Sequence, residues 1–164
     1  MTVIIIALLA VGFFSIHTEF NSFGQENKET VYNEDGWVTY EYDSIGYMIK
    51  TTSYGLDGTM HYWDLHEYDD AGNRIKYTQY DANGTIVFWI ECDFDAAGNE
   101  IKATWYNADG KFIGWGEHEY NAAGKRIRYT HYHVDGSIDY WEEYDWAGNE
   151  AKITRYNADG TIAQ

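Results

Sequence analysis

Aromatic and apolar positions along this chain fall on a two-residue grid. An aromatic residue followed four positions later by glycine occurs at Tyr32, Tyr42, Tyr54, Tyr68, Tyr80, Phe94, Tyr106, Tyr120, Tyr132, Tyr144 and Tyr156. The steps between these anchors are 10, 12, 14, 12, 14, 12, 14, 12, 12 and 12, every one even. Side chains on a β-strand alternate faces with period two, so a change of one residue would turn a strand's pattern over, whereas even steps leave each aromatic on its own face. A helical repeat has no reason to respect parity. The pattern predicts an all-β fold of antiparallel hairpin repeats, about five units of 26 residues, forming a coiled or solenoid-like meander.

Two turn signals punctuate each unit. The first reads Asp69-Asp70-Ala71-Gly72, Asp95-Ala96-Ala97-Gly98 and Asn121-Ala122-Ala123-Gly124. The second reads Asp81-Ala82-Asn83-Gly84, Asn107-Ala108-Asp109-Gly110 and Asn157-Ala158-Asp159-Gly160. Asp or Asn at the first position accepts from backbone N–H groups, and glycine at the fourth adopts the left-handed conformation, together a favoured hairpin connection. Gly55 and His133 stand where the capping residue belongs, so those two hairpins are expected to be slightly weaker.

The strand after the first turn follows one formula. Ile49, Ile75, Ile101, Ile127 and Ala151 come three residues past each glycine, and Lys50, Lys76, Lys102, Arg128 and Lys152 come four past. Thr52, Thr78, Thr104, Thr130 and Thr154 come six past, with the Tyr anchor at eight. Alternation puts the basic residue, Thr and Tyr on one face and Ile on the other. The return strand carries Trp63, Trp89, Trp115 or Trp141, then Glu67, Asp93, Glu119 or Glu143 before its anchor. Cross-strand stacking, Thr and opposite-charge pairs contribute roughly 0.2–1 kcal/mol each, so their repetition accumulates.

Residues 1–24 differ. Met1 to Ile16 is apolar and uncharged, short for a membrane helix and suited to the apolar region of a signal peptide. Ser22-Phe23-Gly24 offers a small-x-small site ahead of Gln25, although no Lys or Arg precedes the apolar run. The expected organisation is a signal peptide or membrane anchor over 1–24, a linker over 25–31 and a hairpin-repeat domain over 32–164. A buried first strand is the structural alternative, since Val3 to Ile6 is β-branched.

Composition sharpens the picture in two places. The 164 residues include 16 Tyr, 7 Trp and 7 Phe but no Pro, which suits closely paired strands around an aromatic core. The formal net charge of −16 argues against nucleic-acid binding, which needs Lys and Arg to neutralise phosphates. The single Cys92 excludes an internal disulfide.

Tyr42-Asp43…Gly46, Tyr68-Asp69…Gly72-Asn73, Phe94-Asp95…Gly98-Asn99 and Tyr144-Asp145…Gly148-Asn149, with Asp57-Gly58, Asp109-Gly110, Asp135-Gly136 and Asp159-Gly160 between them, resemble the YD-repeat (Rhs-type) family. The likeness spans roughly Tyr32 to Gly160; similarity to cell-wall-binding and MORN-type hairpin repeats is looser. Members of the YD-repeat family are surface or secreted bacterial proteins, and in large ones a spiralling sheet encloses a toxin or mediates cell contact. The resemblance therefore implies a secreted or cell-surface protein and is nearly silent about activity; the expectation of a non-enzymatic protein rests on the motifs below. This chain has a longer period, an added Trp in most units and neither the length of a shell nor a toxin-like segment, so encapsulation is not carried over.

Candidate chemistry is sparse. The Trp63, Trp89, Trp115 and Trp141 series, with Tyr62, Phe88 and Tyr140 beside it, offers rings on which sugars or quaternary ammonium groups stack; a packed aromatic core is the plainer reading of the same rings. His66, Cys92 and His118 occupy equivalent places, and His131 and His133 share one side of a strand, but neither set has a full complement of metal ligands. Acidic turns such as Asp93 to Glu100 lack the oxygen-ligand alternation of a calcium loop, and hairpins need the same residues. No nucleophile elbow, phosphate loop or zinc motif is present, so no catalytic residue and no cofactor is expected. The expected function is a structural or adhesive role at a bacterial surface. Its alternatives are a glycan- or cell-wall-binding module and a cytosolic antitoxin-like partner protein. The expected partner is a surface glycan or another protein, with membrane contact only through residues 1–24.

Overall fold

The computed structural model describes residues 2–8, 13–20 and 26–163, and every regular element among them is a strand. In chain order these are β1 (Thr2–Leu8), β2 (Phe13–Phe20), β3 (Glu26–Asn33), β4 (Gly36–Tyr42), β5 (Met48–Gly55), β6 (Met60–Tyr68), β7 (Arg74–Asp81), β8 (Ile86–Phe94), β9 (Glu100–Asn107), β10 (Phe112–Tyr120), β11 (Arg126–His133), β12 (Ile138–Ala147) and β13 (Glu150–Asn157). The chain divides into two compact units, Met1–Val87 and Phe88–Gln164. In the first, β1 to β7 pair antiparallel in succession. In the second, β8 to β13 do the same. An all-β hairpin meander is therefore what the chain forms.

The turns close as the Asp/Asn…Gly spacing requires. In the Asp69 turn, Gly72 N–H donates to Asp69 O and Asp69 N–H to Asn73 O, both at 3.0 Å. Asp69 Oδ1 accepts from the N–H groups of Ala71 and Asn73 at 2.9 Å each, and Gly72 holds φ +88°. Where Gly55 and His133 cannot cap, a substitute appears. Asp57 Oδ1 accepts from Thr59 N–H, and Asp135 Oδ1 from Ser137 N–H, each at 2.9 Å. The residue just before the turn glycine thus supplies the acceptor that the first turn position lacks.

The repeated isoleucines do not cover a face. The registers Glu41↔Lys50 and Tyr42↔Met48 leave Ile49 unopposed, and the same shift leaves out Ile75, Ile101 and Ile127. Each is the extra residue of a β-bulge, and each is 38–39% exposed. The last hairpin confirms the link. Ala151 replaces Ile, β12 and β13 pair without a shift from Tyr140↔Asn157 to Ala147↔Glu150, and Gly148-Asn149 becomes a two-residue turn.

The aromatic anchors divide into two sets, one on each face. Tyr80 pairs with Trp63, whereas Tyr68 lies five residues from Trp63 on the same strand and so points the other way. Parity is kept within each set, not across both.

The expected aromatic core does not form among the described residues. Only Ala103 and Tyr144 are buried hydrophobic residues, and no side chain there is below 2% exposure. Among the described residues, a strand within each unit packs against its neighbours in the chain, and no second layer of described residues encloses the rings. What is buried instead is the strand-centre threonine, Thr52 at 3% and Thr78 and Thr130 at 5%. A short β-branched side chain is easily roofed by the longer ones beside it.

β1 and β2 occupy much of the segment expected as a signal peptide or anchor, and β3 runs through most of the expected linker. The Ser22-Phe23-Gly24 site lies outside the described residues.

Candidate functional site

One face of each unit is written by the repeat. Tyr80 on β7 stacks on Trp63 at a ring separation of 3.9 Å and 3° between planes, while Lys50 on β5 sets its ammonium 5.2 Å from the same indole. The second unit repeats the arrangement. Trp115 lies between Tyr132 (4.7 Å) and Lys102 (5.7 Å), and Trp141 between Tyr156 (5.1 Å) and Arg128 (5.4 Å). Trp37 with Tyr54 and Trp89 with Tyr106 form the same stacked pair. Because cation and tyrosine come from opposite neighbouring strands, both faces of Trp63, Trp115 and Trp141 are covered. Burial, followed by the nearby Glu91, Glu117 and Glu143, pushes the phenols of Tyr106, Tyr132 and Tyr156 up.

The expected binding residues are therefore split. Trp63, Trp89, Trp115 and Trp141 lie on this face, but Tyr62 and Tyr140, adjacent to tryptophans in sequence, point to the other. In Trp63, Trp115 and Trp141 the tyrosine and the cation occupy the ring faces on which a sugar would stack.

The opposite face changes from hairpin to hairpin. In the first unit Asp64, 6% exposed, accepts from Thr51 Oγ1 (2.7 Å), Tyr77 OH (2.7 Å) and Gln79 Nε2 (3.2 Å). Burial first, then the Asp64 carboxylate, pushes the Tyr77 phenol well above its usual range. In the second unit Gly114 and Gly116 remove two side chains from β10. A Cβ at Gly116 would stand 2.5 Å from Tyr129 Cε2, so that ring lies directly on the backbone. Across the space so cleared, Trp105 reaches His131 (5.3 Å), which stacks on Tyr140 (5.3 Å), and Arg155 covers Tyr140 at 4.3 Å. Arg155 also donates to Glu142 Oε1 at 2.6 and 2.9 Å, and Tyr144 OH donates to Glu142 Oε2 at 2.6 Å. Burial pushes the Glu142 carboxyl up, but the hydrogen bonds from Tyr144 and Arg155 outweigh it and hold the group low. The Tyr144 phenol is pushed up to about 12 by burial and by Glu142.

His131 and His133 are brought together by a residue that strand alternation alone did not single out. Asp139 Oδ2 lies 3.0 Å from His131 Nδ1 and Oδ1 lies 3.3 Å from His133 Nε2. Asp139 is the extra residue where the register passes from His131↔Tyr140 to Tyr132↔Ile138, the same shift that leaves out His61 and Ile113 three residues past their own turn glycines. Among the described residues no three or more His, Cys, Asp and Glu are arranged to hold a metal ion. The Asp69 and Asp95 carboxylates are taken up by their own turns, each accepting backbone N–H groups and an Asn side chain. On the repeated face, an open groove of about 400 Å³ has Glu119, Glu143 and Asp145 around Arg128.

A third recurring contact ties the end of each return strand to the start of the strand paired before it. Tyr68 OH donates to Met48 O (2.9 Å) and Tyr120 OH to Glu100 O (2.8 Å). In the last hairpin, where the bulge is missing, Trp146 Nε1 donates to Arg126 O at 2.8 Å. The indole takes over from the phenol two residues further along.

Residues 89–131, 116–147 and 132–163 match the pattern of a family described as Protein of unknown function (DUF2963). No curated protein matches the sequence. Among solved structures the chain is similar to TcdB2-TccC3 without its hypervariable C-terminal region, with a TM-score of 0.45 and 13% identity over 93% of this chain and 10% of that one. It is also similar to a porin-like protein from Bacteroides uniformis, with a TM-score of 0.45 and 14% identity over 93% of this chain and 52% of that one. A Photorhabdus luminescens Tc holotoxin pore is more distant, at a TM-score of 0.28 and 11% identity over 93% and 11% of the two chains. The chain thus spans about a tenth of the first and about half of the second.

Proposed function

We propose that this β-rich repeat module is exported and serves a non-enzymatic structural or adhesive role at a bacterial cell surface, in the manner of YD-repeat proteins. The observation that carries the reading is the division of labour between faces. One is saturated by its own cation–Trp–Tyr sandwiches, and the other differs at every hairpin, as a surface that meets partners would. The apolar, uncharged Met1–Ile16 run supports export, and the acidic composition supports solubility outside the cell. The test is fractionation of the producing cells with and without residues 1–24, combined with protease shaving of intact cells. Export predicts a surface-accessible chain whose accessibility depends on residues 1–24. A chain found only in the cytosol overturns the proposal.

A glycan-binding role falls on exposed rings of the variable face, such as Tyr62 at 42% exposure, rather than on the indoles. A glycan array separates the two. Binding lost in Tyr62→Ala and retained in Trp63→Phe supports the variable face, and a blank array removes the glycan role.

A further inference from the structure

His66 and His118 occupy the same place in the two units, and their surroundings differ at one position. In both, an arginine two residues past the next turn glycine approaches the imidazole: Arg74 Nη1 lies 3.4 Å from His66 Nδ1, and Arg126 Nη1 lies 3.4 Å from His118 Nδ1. Guanidinium is only a donor, so Nδ1 is the acceptor and the proton of the neutral ring sits on Nε2. His118 Nε2 then faces Glu100 Oε1 at 3.2 Å. Met48 stands where Glu100 stands, each two residues past its turn glycine. His66 Nε2 is buried with no hydrogen-bond partner, in a residue 7% exposed.

Acidification therefore acts differently at the two rings. Adding a proton to Nδ1 of either imidazole sets a new donor against the arginine's N–H and a second positive charge beside the first. At His118 the Glu100 carboxylate offsets that charge. The ionisable groups acting on or touching His66 are Arg74 and Tyr77 on β7 and Asp64 on β6, while β5 carries Met48 at the sequence position where β9 carries Glu100. Asp64 is already committed to Thr51, Tyr77 and Gln79.

We propose that His66 is an acid-sensitive latch: its protonation loosens β5 to β7 in the first unit, while the Glu100-paired His118 leaves β10 and β11 closed. Burial, then Arg74, holds the His66 imidazole below its ordinary 6.5, with Asp64 pulling the other way. The folded chain thus binds this proton less tightly than the unfolded one. The stability that neutral His66 contributes is complete above about pH 6.5 and declines as pH falls below that value toward the depressed folded one. A protein placed outside the cell meets such changes, but the latch stands on the two histidine environments and not on export.

The test is amide hydrogen exchange on the full chain at about pH 7.5 and about pH 5, corrected for intrinsic rates. The latch predicts a severalfold loss of protection in Met60–Tyr68 and Arg74–Asp81 at the lower pH, with Phe112–Tyr120 unchanged. Met48→Glu abolishes the loss, and Glu100→Met creates one in Phe112–Tyr120. His66→Gln, which cannot titrate, also removes the response and serves if Met48→Glu does not fold. An equal loss in both units, or one that persists in His66→Gln, overturns the proposal.

Discussion

The two faces of each unit obey different rules. On the repeated face the same contact recurs, a cation, an indole and a phenol from three adjacent strands. On the other face the residue seven past each first-turn glycine reads Ser53, Gln79, Trp105, His131, Arg155, and return-strand positions read Asp64, Ile90, Gly116, Glu142. A side chain that meets its own kind at every step stabilises whichever hairpin it is in, so it tolerates repetition. One that varies must find a partner of its own, as three of them do: Thr51 and Tyr77 for Asp64, bare Gly116 beneath Tyr129, Arg155 for Glu142. Repetition secures the sheet, and variation gives each hairpin an identity.

The largest effect that tests this division is at Trp115. Trp115→Ala removes the ring between Lys102 and Tyr132 and is expected to cost about 2–4 kcal/mol in urea unfolding, allowing for an indole that is only half-buried. Trp105→Ala on the variable face should cost clearly less, and equal losses would erase the distinction. Gly116→Ala comes next. The new Cβ collides with Tyr129, and overpacking of this kind costs about 1–3 kcal/mol, largely recovered in Gly116→Ala/Tyr129→Ala. Tyr120→Phe deletes only the hydrogen bond to Glu100 O and should cost about 0.5–1.5 kcal/mol, with unfolding cooperativity unchanged.

The turns give the smallest effect per residue. Asp57, Asp69, Asp81, Asp95, Asp135 and Asp159 are held below the ordinary 3.8 by hydrogen bonds accepted across their own turns. Their contribution is present above about pH 4 and is lost as pH falls through the depressed folded values, well below the window in which His66 acts. Asp57→Ala should weaken its hairpin more than Asp109→Ala weakens its own, because Asn107 Oδ1 already accepts from Lys111 N–H whereas Gly55 has nothing to offer. Backbone amide exchange at Thr59 and Lys111 measures the difference.

Parity, turn chemistry and the Lys-Thr-Tyr-Trp formula were legible in the sequence because each is local: alternation and an Asp-x-x-Gly turn need only a few consecutive residues. Hence the hairpins, their order and the faces of Trp63 and Tyr80 follow from reading alone. Three other features required the pairing of strands. The isoleucines look like regular members of the face opposite Lys, Thr and Tyr but are bulge residues, since the register shift that sets them aside depends on the partner strand. Tyr62 and Trp63 are neighbours in sequence and occupants of opposite faces. His66 and His118 look equivalent until the strand beyond brings Glu100 to one and Met48 to the position matching it at the other. Sequence specified what each strand offers. Only the tertiary structure decided which offers meet, because a contact between strands is fixed by register, and a single extra residue at a bulge resets it.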